Sequence, residues 1–125
     1  MKKITLLTTL IILCISIFTA CSKNGTGKDG GTGAGGISFS CSGITPKFAA
    51  DIQPILNTVC SINSNCHAGG STNTGGPFTS FAEVNGKKTA IRAQILAGTM
   101  PQSGTISQAQ INAFICWIDS GAPNN

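Results

Sequence analysis

The chain has little of what most catalytic and binding sites are built from. Its 125 residues include one histidine, four acidic residues and, beyond the initiator, one methionine; charged residues make up only 10%. A single histidine, His67, excludes a bis-histidine metal centre within the chain and any histidine-rich site. Beyond residue 40 the acids are Asp51, Glu83 and Asp119. None neighbours His67, so no acid–base pair suggests itself and an enzyme is not expected. Cationic charge is equally thin. The formal charge is +4, yet residues 41–125 carry Lys47, Lys87, Lys88 and Arg92 against those three acids, a net of +1. There is no basic stripe with interleaved aromatics, so nucleic acid is not an expected partner. No run alternates as a strand does and no segment repeats, so the expected fold class is all-α.

The longest apolar run, Ile4 to Phe18, is short for a membrane span and follows Lys2 and Lys3. A basic start, a short apolar stretch and small residues read as a secretory signal over residues 1–20. Phe18-Thr19-Ala20-Cys21 resembles the lipobox of bacterial lipoproteins, in which the cysteine becomes the lipidated first residue. The expectation is an exported, membrane-anchored lipoprotein facing the periplasm or the cell surface, held by Cys21; an uncut anchor is the alternative. Residues 21–40 are dominated by glycine with Thr, Ser, Lys and Asn, a composition unable to offset its backbone entropy by burial. They are expected to be a flexible tether. The folded domain is expected over 41–125, small enough to call for a staple or a cofactor.

What the chain does have is cysteine, six in all. Cys14 leaves with the signal and Cys21 takes lipid. Cys60 and Cys66 close a short loop with His67 directly after. Two cysteines followed by histidine is the pattern by which c-type haem is attached, although the usual gap is two residues and here it is five. Two thioethers would then hold the porphyrin and the imidazole would ligate iron. Met100, in Ala97-Gly98-Thr99-Met100-Pro101, is the candidate for the other axial position; water, Lys87 or Lys88 are the substitutes. Cys41 and Cys116 remain, and in an exported protein a leftover pair suggests a disulfide; two separate buried thiols are the alternative.

The remaining pattern is helical. Thr45-Pro46 predicts a helix start, with Phe48, Ile52, Ile55, Leu56 and Val59 at helical spacing and Pro54 either kinking it or opening a second helix. Residues 68–77 predict a loop suited to wrapping a flat group. Thr79 predicts the cap of a short helix ended by Gly86, and residues 87–97 a further helix with Gly98 at its C-terminal end. Ser107 and Gln110 form a capping box ahead of Ile111, Phe114, Ile115 and Ile118, with Gly121 and Pro123 closing the helix. Trp117 and Phe114 are expected to pack in the core or against a haem.

Asp51-Ile52-Gln53-Pro54-Ile55-Leu56, Cys66-His67, Phe81-Ala82-Glu83-Val84, Met100-Pro101 and Trp117-Ile118-Asp119-Ser120-Gly121-Ala122-Pro123 occur in that order. Over roughly residues 46–125 the chain resembles the small class I-like cytochrome c domains of exported proteins and lipoproteins in bacteria such as Bacteroidetes and Planctomycetes. The resemblance implies compact helices around one covalent haem c. It implies Cys60 and Cys66 as thioether cysteines, His67 as proximal ligand, Met100 as distal ligand and Pro101 as a brace for the methionine loop. The expected function is membrane-tethered single-electron transfer by a monomer between a redox donor and acceptor. A haem-free domain of this size is expected to be poorly ordered. Three other readings stand beside it. One is a non-redox binding module stapled by Cys60–Cys66 and Cys41–Cys116 disulfides. Another is a zinc site from Cys60, Cys66, His67 and Cys116. The third is a ligand-binding haem sensor or peroxidase-like enzyme with Met100 displaced.

Overall fold

Pro54 shows how the local sequence shapes the first helix among the described residues. The computed structural model describes residues 30–125, so the signal, Cys14, Cys21 and the start of the tether lie outside the described residues. Three helical pieces, Phe48–Ile52, Gln53–Ile55 and Leu56–Cys60, run on as one rod, here α1. Proline has no N–H to give and crowds the preceding turn. The turns on either side widen instead of breaking. Ile52 N–H reaches Lys47 O at 3.2 Å and Ser61 N–H reaches Leu56 O at 2.6 Å, each five residues back. Thr58 Oγ1 donates to Pro54 O at 2.7 Å. The helix starts at Phe48, not at Thr45-Pro46. Its first N–H groups are capped from afar: Phe48 donates to Asn125 Oδ1 at 2.9 Å and Ala49 to Asn125 O at 3.0 Å.

The two short helices expected either side of Gly86 are one, α2, Phe81–Leu96. Its cap is Ser80, in a capping box with Glu83. The Glu83 carboxylate accepts from Thr79 N–H at 2.8 Å, Thr79 Oγ1 at 3.0 Å and Ser80 N–H at 2.9 Å. Led by the bond from the Thr79 N–H, these hold its pKa below the ordinary value. A glycine inside a helix costs about 1 kcal/mol relative to alanine. The box and the burial of Val84, Ile91, Ile95 and Leu96 outweigh that. At the far end Gly98 adopts φ +68°. Its N–H bonds Ile95 O at 3.0 Å and Thr99 N–H bonds Gln94 O at 3.1 Å, the pairing that closes a helix through a left-handed glycine.

The final helix α3, Gln108–Asp119, starts from the Ser107–Gln110 capping box. It buries Ile111, Phe114, Ile115 and Ile118, and also Cys116 and Trp117. Trp117, Phe114 and Ile115 are 0% exposed, and Phe48 packs on Trp117 at 5.5 Å between ring centroids. The indole N–H donates to Pro123 O at 2.9 Å, so the largest core side chain leaves no donor unpaired.

Two strands precede the helices: β1, Gly31–Thr32, and β2, Ser38–Phe39, antiparallel with Gly31 opposite Phe39. This ladder departs from an all-helical expectation and lies within the stretch expected to be tether. Its glycines are there for close approach: a Cβ on Gly33 or Gly35 would collide with Leu96 or Ala97. Gly35 N–H bonds Leu96 O at 3.1 Å. Phe39 enters the core, with the Arg92 guanidinium over its ring at 5.5 Å. Arg92 also grips Asp119 through Nε at 2.7 Å and Nη2 at 3.0 Å. Cys41 and Cys116 are joined as a disulfide, Cα–Cα 5.5 Å, tying the hairpin's exit to α3. Closing a loop of this length stabilises the fold by about 4 kcal/mol in the chain-entropy account. Among the described residues no helix is long and apolar enough to cross a membrane.

Candidate functional site

α1 ends at Cys60, and the chain then turns back on itself. His67 N–H donates to Cys60 O at 3.0 Å, so the residues bracketing the loop are drawn together despite its length. Asn63 makes the bend: Cys66 N–H donates to both its main-chain oxygen and its Oδ1, each at 3.1 Å. A side-chain oxygen that mimics a backbone acceptor is the usual device of asparagine turns.

Beside this loop lies a cavity of about 400 Å³, within the range of small-molecule and cofactor sites. Cys60, Cys66, His67 and Met100 all line it. Val59, Ile91, Ile95 and Phe78 supply apolar wall, and α2 carries Lys87 to it. Lys88, the other lysine considered for iron, instead donates to Asn85 Oδ1 at 2.8 Å and does not line the cavity. Met100 reaches it because the Gly98 turn ends α2 just before it. Thr99 fixes that turn through Oγ1, which donates to Gln94 O at 3.1 Å and to Gln94 Oε1. The Met100–Pro101 peptide is cis.

His67 is held on three sides. Its ring stacks on Phe78, centroids 4.0 Å apart and planes 19° from parallel. Its Nδ1 lies 2.8 Å from Gly76 O. A carbonyl can only accept, so Nδ1 is the donor here and Nε2 is the nitrogen left to face a metal. Gly75 must lack a side chain, since a Cβ there would sit 2.9 Å from His67 Cε1 and 3.2 Å from Phe78. Phe78 N–H donates to His67 O at 2.8 Å, closing the wrap.

Cys60 and Cys66 are free, half-buried thiols, whereas the stapled-module reading needs them joined. Burial, and then the neighbouring Cys66, push the Cys60 thiol up to about 11, so it stays protonated at neutral pH. The zinc reading fails on its fourth ligand, because Cys116 is spent on Cys41. Among the described residues no three His, Cys, Asp or Glu side chains gather to hold an ion by themselves. A haem iron makes no such demand: the porphyrin supplies four ligands and the protein one or two.

Sequence reasoning found the sulfurs, the imidazole and the methionine, and the structure brings all four to one cavity. It missed Phe78, Gly75 and Gly76, whereas a turn at Asn63 was legible, because asparagine tolerates turn conformations. The only signal for the two glycines was the run of Gly, Ser, Thr and Asn over residues 68–77, which speaks of a loop and not of partners. No protein-family model, curated protein or solved structure matches this chain.

Proposed function

We propose that this chain is a monohaem c-type electron carrier, exported and tethered to a membrane through lipid on Cys21. The observation that carries the reading is the shared cavity. Two thiols, the single imidazole and the single non-initiator thioether of a histidine- and methionine-poor chain line one hollow with apolar walls. The residues fit the group. Cys60 and Cys66 would hold haem c covalently, with His67 and Met100 as axial ligands. When bound, the haem supplies a one-electron ferrous–ferric couple.

The chain's own residues do the rest. Gly76 O fixes the imidazole tautomer and Phe78 fixes the ring plane. The Met100 thioether would favour the reduced metal and raise its potential. Val59, Ile91 and Ile95 exclude water and lower the local dielectric, which also sets the potential. With His67 and Met100 both engaged by the iron, no position would be left for substrate, which favours a carrier over an enzyme. Its partners are a redox donor and a redox acceptor, met by a monomeric domain held near the membrane.

A haem stain on a denaturing gel tests this, after export in a host with c-type maturation. Colour that stays with the band supports the proposal. A colourless band beside a coloured control cytochrome from the same cells overturns it, and leaves the non-redox module stapled by Cys41–Cys116 as the better account.

A further inference from the structure

We propose that Asn73, with Ser71, is the positioning element that lets the long cysteine loop present Cys66 to the cavity. The inference rests on the haem reading above. Five residues separate Cys60 from Cys66 where the usual attachment pattern has two, so the second sulfur needs a guide that a short loop does not. Asn63 engages the N–H side of Cys66. The carbonyl side is taken from outside the loop. Ser71 Oγ donates to Cys66 O at 2.5 Å and Asn73 Nδ2 donates to the same oxygen at 2.9 Å. Asn73 Nδ2 also donates to Asn65 O. Asn73 N–H closes the unit on Ser71 Oγ at 3.2 Å.

A carbonyl has two lone pairs, so the Cys66 oxygen is satisfied by this pair of donors. The peptide groups on both sides of Cys66 are therefore fixed by side chains. Asn73 also lines the cavity, so the clamp and the sulfurs share one wall. The bond-forming step needs no oxidant. Each thiol adds across one vinyl C=C of the porphyrin, sulfur to one carbon and the thiol proton to the other. What the clamp governs is whether the second sulfur is in place when the first has reacted.

The test counts free thiols on the exported full-length chain, denatured without reductant, and maps them by alkylation and peptide mass. Wild type is expected to show only a small fraction of chains with a free thiol at Cys60 or Cys66. In Asn73→Ala, chains with one free thiol at Cys66 should rise about fivefold, the effect of one net hydrogen bond on the guided population. Asn73→Asp should be worse than alanine, since it sets carboxylate oxygens against two carbonyls. A role in filling space alone would reverse that order. Ser71→Ala should move the same way by less, and it decides the matter if the Asn73 variants do not fold, as judged by the Cys41–Cys116 disulfide and Trp117 emission. Variants with fully reacted cysteines, or losing Cys60 and Cys66 attachment equally, overturn the clamp. Wild-type chains with both thiols free and no haem overturn the reading beneath it, and the clamp with it.

Discussion

The molecule has two faces that are built differently. Around Trp117, the hairpin, the first half of α1 and the whole of α3 meet in a core with no buried polar side chain, sealed by the Cys41–Cys116 disulfide. Around His67, half-buried sulfurs, an imidazole, a glycine and amides share the walls of an open hollow of about 400 Å³ with Val59, Phe78, Ile91 and Ile95. The first face closes on its own side chains. The second keeps its chemistry-bearing residues against space. A chain this short does not leave such a hollow beside its only histidine without consequence for stability, because cavity walls forgo dispersion contacts. The contrast refines the expectation that a haem-free domain is poorly ordered. A haem-free chain is expected to loosen first at the His67 face, while the Trp117 face holds.

The strongest break in that contrast is chemical. Replacing Cys60 and Cys66 together by alanine should abolish covalent haem completely. Trp117 emission should remain that of a buried indole, since both substitutions leave the Cys41–Cys116 disulfide in place. Loss of both signals together would show one cooperative unit and not two faces.

Next come the two props of the closed face. Trp117→Ala empties a fully buried site and should cost about 3–5 kcal/mol in urea unfolding. Removing Cys41 and Cys116 together should cost about 4 kcal/mol, less any strain released. Either variant should lose stability without losing the haem stain of those chains that fold.

A smaller effect is read from Cys60 in haem-free chain. Its folded pKa, about 11, stands above the ordinary 9.0. The raised value keeps the thiol protonated, so its stabilising contribution is whole below pH 9 and fades as pH rises from there towards 11. At pH 8 alkylation of Cys60 should run about a hundredfold slower in the folded chain than in urea. Equal rates would mean that Cys60 is not buried and that the open face is looser than described. Smallest is Ser80→Ala, which removes the α2 capping box and should cost about 1 kcal/mol.

How much of this was written locally in the sequence varies by element. α3 was legible whole, because its capping box, its apolar positions and its terminal glycine all repeat one statement. The site's chemical groups were legible because the chain has so few of them. α2 was misread as two helices, since Gly86 looks like a stop and only the packing of Ile91 and Ile95 shows that the helix runs through it. The hairpin was hidden for the opposite reason. Glycines at 33 and 35 read as slack, yet they are close-approach points against Leu96 and Ala97. Asn73 was invisible because its partners are main-chain oxygens, and a carbonyl has no letter in a sequence.

The most direct test of the central claim is peptide mass mapping of the exported chain. The account predicts that the peptide spanning Cys60 to His67 carries the mass of one haem, with neither thiol open to alkylation. An unmodified peptide with two alkylatable thiols, from cells that mature a control cytochrome, would contradict it.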